Sequence, residues 1–397
     1  MDEITLDLYR RVLRYPEETE TIATLARHLA RSGTQRPAAS PWSADIASTG
    51  GPASLTTLLT PLHLVCAGFV VPKIGVPGRP AGGIDVLGAL PGFRTRLSAE
   101  EFDEALQTAR YAHALADETW APADAELFRF RQNSGTQAVP SLAIASLLAK
   151  KLAGGVSIAG LDARMSPHGN FGATLDAVRH NAELYCRTAS NLGMKSIVII
   201  SDSSVPYQPY IGRGEAMTAV YQILNGSTDD TWLAAHNEFC IEIVDLLAKR
   251  RGPNLASSIN HAASRSLWKA ADTHLNAQGS SITELEAHVA RISEQRTLTL
   301  LAEDDGYPRY YLRHIRNALV QANQLARGDR RNNNTLVFPD VAGIRLLAKP
   351  WEKLKRGDPV FQIRSGLDLQ TLDLSSLYSI NREPCPVPNI ILEAVVD

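Results

Sequence analysis

The sequence is short of the features that announce metal, redox or membrane chemistry. Its four cysteines, Cys66, Cys186, Cys240 and Cys385, stand far apart. No zinc or redox spacing exists among them, and they read as buried free thiols. None of the ten histidines falls in an HxxxH or HExxH pattern, so no metal site is expected. No apolar run approaches the roughly 20 residues that a bilayer span requires. The opening segment, MDEITLDLYRRVLRYPEE, is charged throughout and has no apolar centre of the kind a signal peptide carries. A cytoplasmic location is the expectation. A net charge of −2 gives no pull toward nucleic acid or a membrane surface. Internal repeats and low-complexity tracts are missing as well.

What is present is an ordinary globular composition, 44% hydrophobic and 21% charged over 397 residues. That length implies two or three lobes rather than one small core. Residues 3–33 read as two short helices, with Leu6, Tyr9, Val12, Leu13 and then Ile22, Leu25, Leu29 at helical spacing. A Pro- and Ser-rich linker, 33–42, leads to the glycine loop Ser48-Thr49-Gly50-Gly51. Residues 55–69 predict a helix running into a short strand at 70–74. A charged helix is predicted over 99–117 and an alanine-rich one over 141–153, closed by Gly154-Gly155. Strands at 156–163 and 196–201 flank a helix at 174–192, a rhythm that predicts a parallel sheet. Residues 229–327 read as mostly helical, and 335–397 as β-rich.

Two places could carry chemistry. In Ser48-Thr49-Gly50-Gly51, followed by Thr56 and Thr57, glycines would let backbone N–H groups approach an anion and hydroxyls would add donors. A plain tight turn accounts for the same residues. Ser146 and Lys150 are four apart and share one face of the 141–153 helix. Taken singly, they and Arg131 upstream read equally well as solvated surface.

The order of these motifs resembles that of the thymidine and pyrimidine-nucleoside phosphorylases. DIASTGGPASLTTLL (45–59) is similar to their phosphate loop, D-K-H-S-T-G-G-V-G-D-x-T-S-L. Pro91-Gly92-Phe93-Arg94-Thr95, Ala121-Pro122-Ala123-Asp124 and SLLAKKLAGG (146–155) resemble three further family segments, and Gly357-Asp358-Pro359 a fourth. The likeness is strong over 45–155 and looser over 156–225 and 335–380. It implies an α/β protein with a helical lobe (1–40 and 119–153) facing a mixed, largely parallel α/β lobe (41–118 and 154–334) across a cleft. A small β-rich C-terminal lobe would follow (335–397). It implies a pyrimidine base held by Arg131, Ser146 and Lys150, with Arg131 and Lys150 also stabilising the departing base. It places phosphate contacts at Ser48, Thr49 and Thr57, and Arg79 is added as the only local cation in the rewritten stretch 75–84.

The same resemblance marks departures. The family's phosphate lysine and catalytic histidine fall on Ile46 and Ala47, with Ile46 expected to add apolar bulk where the ammonium would sit. Later serine and threonine positions become Gly75 and Ile84. The altered strand end after Asp162 brings Arg164 and His168, and His168 is the third catalytic candidate. The segment ahead of the loop is shorter than the family's, so a homodimer would use a shortened interface. The ligand expected is a small pyrimidine nucleoside, nucleotide or base, with no cofactor and with inorganic phosphate as the candidate co-substrate. Three readings stay open. The first is cleavage at the N-glycosidic bond, by phosphate or by water, with Asp45, Asp85 or His168 as general base in the hydrolytic case. The second is pyrimidine binding without catalysis. The third is ribosyl transfer from a phosphorylated sugar, suggested by Ile84-Asp85-Val86-Leu87.

Overall fold

A computed structural model describes residues 1–37, 42–49, 53–79, 82–167, 169, 171–250, 264–327, 337–365, 376–387 and 390–397. Its centre is a twisted sheet. Strands β1 (Ala44–Ser48), β4 (Ile158–Met165) and β5 (Lys195–Asp202) run parallel, and β12 (Ile391–Val396) closes one edge antiparallel to β5. A second parallel pair, β2 (Val71–Gly75) and β3 (Tyr111–Leu115), joins the other edge through a single bridge, Ser43 to Val70. β4 and β5 are buried almost end to end, as parallel strands covered on both faces must be.

One face is covered by α2 (Thr19–Arg31), α7 (Pro140–Gly154) and α8 (Leu175–Asn191), with α1 (Glu3–Arg14) and α6 (Pro122–Asn133) outside them. The other face is covered by α3 (Thr56–Cys66), α9 (Arg213–Leu224), α10 (Thr231–Lys249) and α11 (Ser264–Ala277). The helix ends carry local signals. Asp2 caps α1, Thr174 caps α8, Asp230 caps α10, and Ser98 with Glu101 forms a reciprocal capping box on α5 (Ala99–Ala109). Gly155 ends α7 at φ 74°, and a Cβ there would meet the Pro37 carbonyl at 2.6 Å. The short α4 (Gly83–Leu87) and α12 (Ile282–Ser293) pack beside α9.

A third core lies under an antiparallel sheet of order β6 (Tyr210–Gly212), β9 (Ala342–Leu346), β10 (Pro359–Ser365) and β7 (Thr297–Leu301). Beside it pair β8 (Tyr307–Tyr310) and β11 (Tyr378–Asn381), with α13 (Leu312–Arg327) alongside. Arg364 fastens this sheet to α9. It donates twice to Glu215, at 2.6 and 2.9 Å, and to both the carboxylate (2.6 Å) and the carbonyl (3.2 Å) of Asp340.

The architecture is the expected mixed α/β one. Three segments differ from the sequence reading. The 99–117 helix stops at Ala109, where Arg110 turns left-handed (φ 58°), and 111–115 is strand β3. Two strands, β7 and β8, interrupt the region read as helical. The tail strand β12 leaves the β-rich segment and completes the central sheet.

Candidate functional site

Strands β1 and β2 touch only at their starts and then separate. Beyond the bridge their separation opens a cleft between the two sheet pieces. It lies toward the carboxyl ends of the parallel strands, where open α/β sheets place ligands. One wall is the end of β1 and the loop after it, Ala47 to Thr49, with Thr57 in the first turn of α3. The floor is Lys73 to Gly75 of β2 with His113 of β3. The opposite wall is helical, with Phe128 and Arg131 from α6 and Ser146, Leu147 and Lys150 from α7.

Of the residues singled out from sequence, Ser48, Thr49, Thr57, Arg79, Arg131, Ser146 and Lys150 all line this one cleft. His168 lies outside the described residues. The helical wall is set by periodicity. Asp124 and Arg131 are seven apart on α6, and Ser146 and Lys150 four apart on α7. Ala121, left-handed at φ 49°, turns the chain into α6 with Pro122 at its first position. The Lys150 ammonium donates to Asp124 Oδ2 at 2.7 Å, to Ser146 Oγ at 2.9 Å and to the Ser146 carbonyl at 2.5 Å. Arg131 donates to the carbonyls of Thr136, Leu142 and Gln137, which leaves one N–H on each of Nη1 and Nη2. Burial lowers the Arg131 pKa to about 10, against the pull of Asp124, so it stays a cation at neutral pH.

The other wall carries hydroxyls. Ser48 Oγ is buried and has no hydrogen-bond partner. Thr49 Oγ1 accepts from the Arg164 amide at 2.9 Å, and its own amide donates to the Asp162 carbonyl. Arg79, from the loop after β2, stacks its guanidinium 5.5 Å over Phe128 of the helical wall. Arg164 is not among the lining residues. It lies against the far side of the loop, donating to Asp162, Ser54 and Thr56 and stacking on Tyr207.

Several groups behave differently from their sequence reading. Ile46 adds no bulk to the cleft, because its side chain packs over Gly160 in the core behind the sheet. Asp45 is no free base. Lys73 (2.5 Å) and Lys151 (2.7 Å) clamp its carboxylate from opposite oxygens. Burial alone would raise its pKa, but the two ammonium groups hold it well below the usual carboxylate range. Asp85 is likewise committed, accepting from the amides of Gly78 and Arg79 and from Arg213 Nη2 at 2.9 Å.

Two cleft residues escaped the sequence reading altogether, Lys73 and His113. A lysine inside the apolar strand VVPKI was a signal, since a buried ammonium must find partners. His113 gave none while its segment was read as helix.

No family model matches the chain. Curated relatives do. A pyrimidine-nucleoside phosphorylase from Geobacillus stearothermophilus is 24% identical over 369 residues, covering 88% of this chain and 82% of its own length. One from Staphylococcus epidermidis (strain ATCC 12228) is 26% identical over 363 residues with the same coverage. One from Bacillus subtilis (strain 168) reaches 31% over 186 residues, 46% of this chain and 42% of its own. Among solved structures, anthranilate phosphoribosyltransferase from Thermus thermophilus aligns at a TM-score of 0.47 and 18% identity, covering 68% of this chain and 84% of that one. Among the described residues no helix is long and apolar enough to cross a membrane. Over most of its length the chain is thus similar to pyrimidine-nucleoside phosphorylases, at 24–26% identity.

Proposed function

We propose that this protein cleaves or transfers the N-glycosidic bond of a pyrimidine nucleoside or nucleotide. The observation that carries the reading is the pairing of walls. Arg131, Ser146 and Lys150 line the same cleft as the hydroxyl-bearing loop of Ser48, Thr49 and Thr57, with Arg79 stacked on Phe128 at its edge. A uracil or thymine ring presents two carbonyl oxygens and an N3–H. The free Arg131 N–H groups donate to one carbonyl, the Lys150 ammonium reaches the other by giving up its bond to the Ser146 carbonyl, and Ser146 Oγ accepts from N3–H. An acceptor oxygen, from phosphate or water, bonds to the anomeric carbon as the C–N bond breaks. The electron pair leaves with the base, and the acceptor's proton ends on it. Two cations on the base stabilise that departing charge more than they stabilise the neutral ground state.

The test is release of free base from uridine, thymidine, cytidine and their monophosphates, with and without inorganic phosphate, followed by chromatography. Release from at least one substrate is expected. No release from any of them, under both conditions, sinks the catalytic reading. A second reading, binding without turnover, is favoured by one observation: Ile46 and Ala47 leave the loop itself without a cation or an imidazole. It expects calorimetric binding of uridine with no base released.

A further inference from the structure

Lys73 and His113 are register partners on the paired strands β2 and β3, so both belong to the cleft floor. Each is more than nine-tenths buried. Lys73 spends two of its donors, on Asp45 Oδ1 and on the Ile46 carbonyl at 2.8 Å, across the gap where β1 and β2 separate. One N–H is left. Asp45 is already shared with Lys151, so this cluster holds two cations against one carboxylate. No other carboxylate lines the cleft among the described residues, whereas Arg79, Arg131 and Lys150 do.

His113 is built in from several sides. Its Nδ1 meets the Tyr111 hydroxyl at 3.0 Å. Its backbone is pinned at the sheet edge by the Gln278 side chain, which accepts from the His113 amide at 2.8 Å and donates to its carbonyl at 3.1 Å. Two cleft-lining glycines make room for the ring. A Cβ on Gly75 would stand 3.0 Å from Nε2, and one on Gly83 would stand 2.7 Å from Cε1. Burial, with Lys73 adding to it, holds His113 well below the ordinary histidine pKa, so the ring is neutral. Burial likewise keeps the Tyr111 phenol protonated. The tautomer in which the phenol donates to Nδ1 puts the ring proton on Nε2, on the side of Gly75.

We infer that Lys73 and His113, with Ser48 Oγ, form a phosphoryl-oxyanion subsite on the cleft floor, its cation and imidazole supplied by β2 and β3 rather than by the loop after β1. An ammonium, an Nε2–H and a buried hydroxyl without a partner are three donors suited to a tetrahedral oxyanion. The source of that oxyanion is inorganic phosphate as acceptor or the 5′-phosphate of a nucleotide. This deepens the glycosidic-bond reading and rests on it only for what the oxyanion is used for.

The experiment is calorimetry on the full chain with inorganic phosphate, uridine, both together, and uridine monophosphate. Wild type is expected to bind phosphate, and His113→Ala and Lys73→Met each to weaken it at least tenfold while uridine affinity stays unchanged. Lys73→Met leaves Asp45 paired with Lys151, so the fold keeps its counter-ion. Nitrogen-15 imidazole spectra of the wild type give a readout independent of any variant, in which the His113 Nε2 resonance shifts on phosphate addition. Simultaneous binding of uridine and phosphate marks the acceptor. A His113-dependent gain for the monophosphate over uridine marks the 5′-phosphate. Wild type that binds neither phosphate nor the monophosphate more tightly than uridine, or variants that bind them equally well, overturns the subsite. Failure to bind uridine overturns the base-holding reading instead, and leaves the phosphate result standing on its own.

Discussion

Lys150 is tied to two things at once, and the two separate under mutation. Its ammonium faces the cleft, and it is the salt-bridge partner of Asp124, whose side chain is fully buried and whose other oxygen, Oδ1, has no hydrogen-bond partner. Lys150→Met therefore strands a buried carboxylate. Removing one member of a buried pair costs about 3–5 kcal/mol. Adding Asp124→Asn removes the stranded charge, so the double variant should recover most of that loss and keep a deficit of about 1–3 kcal/mol for an imperfectly satisfied amide. Base affinity follows a different course. A charge-assisted hydrogen bond to a base carbonyl is worth about 1.5–3 kcal/mol, or roughly 10- to 150-fold in Kd, and it is missing equally from the single and the double variant. Urea unfolding followed by circular dichroism reads the first quantity, and uridine calorimetry at 25 °C the second. A folded double variant that binds uridine within about threefold of wild type would refute the role of Lys150 in holding the base. A Lys150→Met protein as stable as wild type would refute the dependence of Asp124 on its cation.

Asp45→Asn leaves Lys73 and Lys151 buried without a carboxylate and should destabilise by about 3–5 kcal/mol in urea. Because pairing depresses the Asp45 pKa in the folded state, its contribution is complete above the unfolded carboxyl pKa, about 3.9, and is lost as pH falls below it. Acid unfolding of Asp45→Asn should lack that component. Burial lowers the Lys151 pKa to about 8, against about 10.4 in the unfolded chain. The unfolded state then holds the extra proton between those values, so stability rises with pH across that window. The difference between wild type and Lys151→Met, measured by urea unfolding from pH 7.5 to 10.5, should show this slope. Arg364→Ala removes the cation shared by Glu215 and Asp340. It should cost about 3–5 kcal/mol and expose the 297–365 sheet to limited proteolysis before the rest unfolds.

The helical wall of the cleft was legible because its geometry is local. Ser146 and Lys150 share a face in any α-helix, and the Pro140 start and Gly155 stop fix where that helix runs. The alternation of β4, α8 and β5 was legible for the same reason, since apolar strands bracket a capped amphipathic helix. The tail was not. Ile391 to Val396 reads as a strand of either sheet, and only its pairing with β5, nearly two hundred residues upstream, decides which. The segment 111–115, YAHAL, is rich in the good helix formers alanine and leucine. It becomes a strand because β2 offers it a parallel edge and because Arg110, left-handed at the end of α5, turns the chain out of the helix. Tertiary pairing overrides propensity there.

That override decides what the cleft can do. Read as helix, His113 would fall on a periodicity unrelated to Lys73. As a strand residue it lies opposite Lys73 in register, with Val71 against Tyr111 and Gly75 against Leu115 fixing the alignment. Side chains alternate faces along a strand, so a slip of one residue would send His113 to the other face of the sheet and bring Ala112 or Ala114 to the floor. Gln278 opposes that slip, because its single amide engages both the N–H and the C=O of His113. Tyr111, two residues away and therefore on the same face, stacks on His274 at 3.8 Å and is held in turn. The chemistry of the floor thus depends on α11 and the turn after it, more than 160 residues along the chain, and no local spacing in the sequence records that dependence.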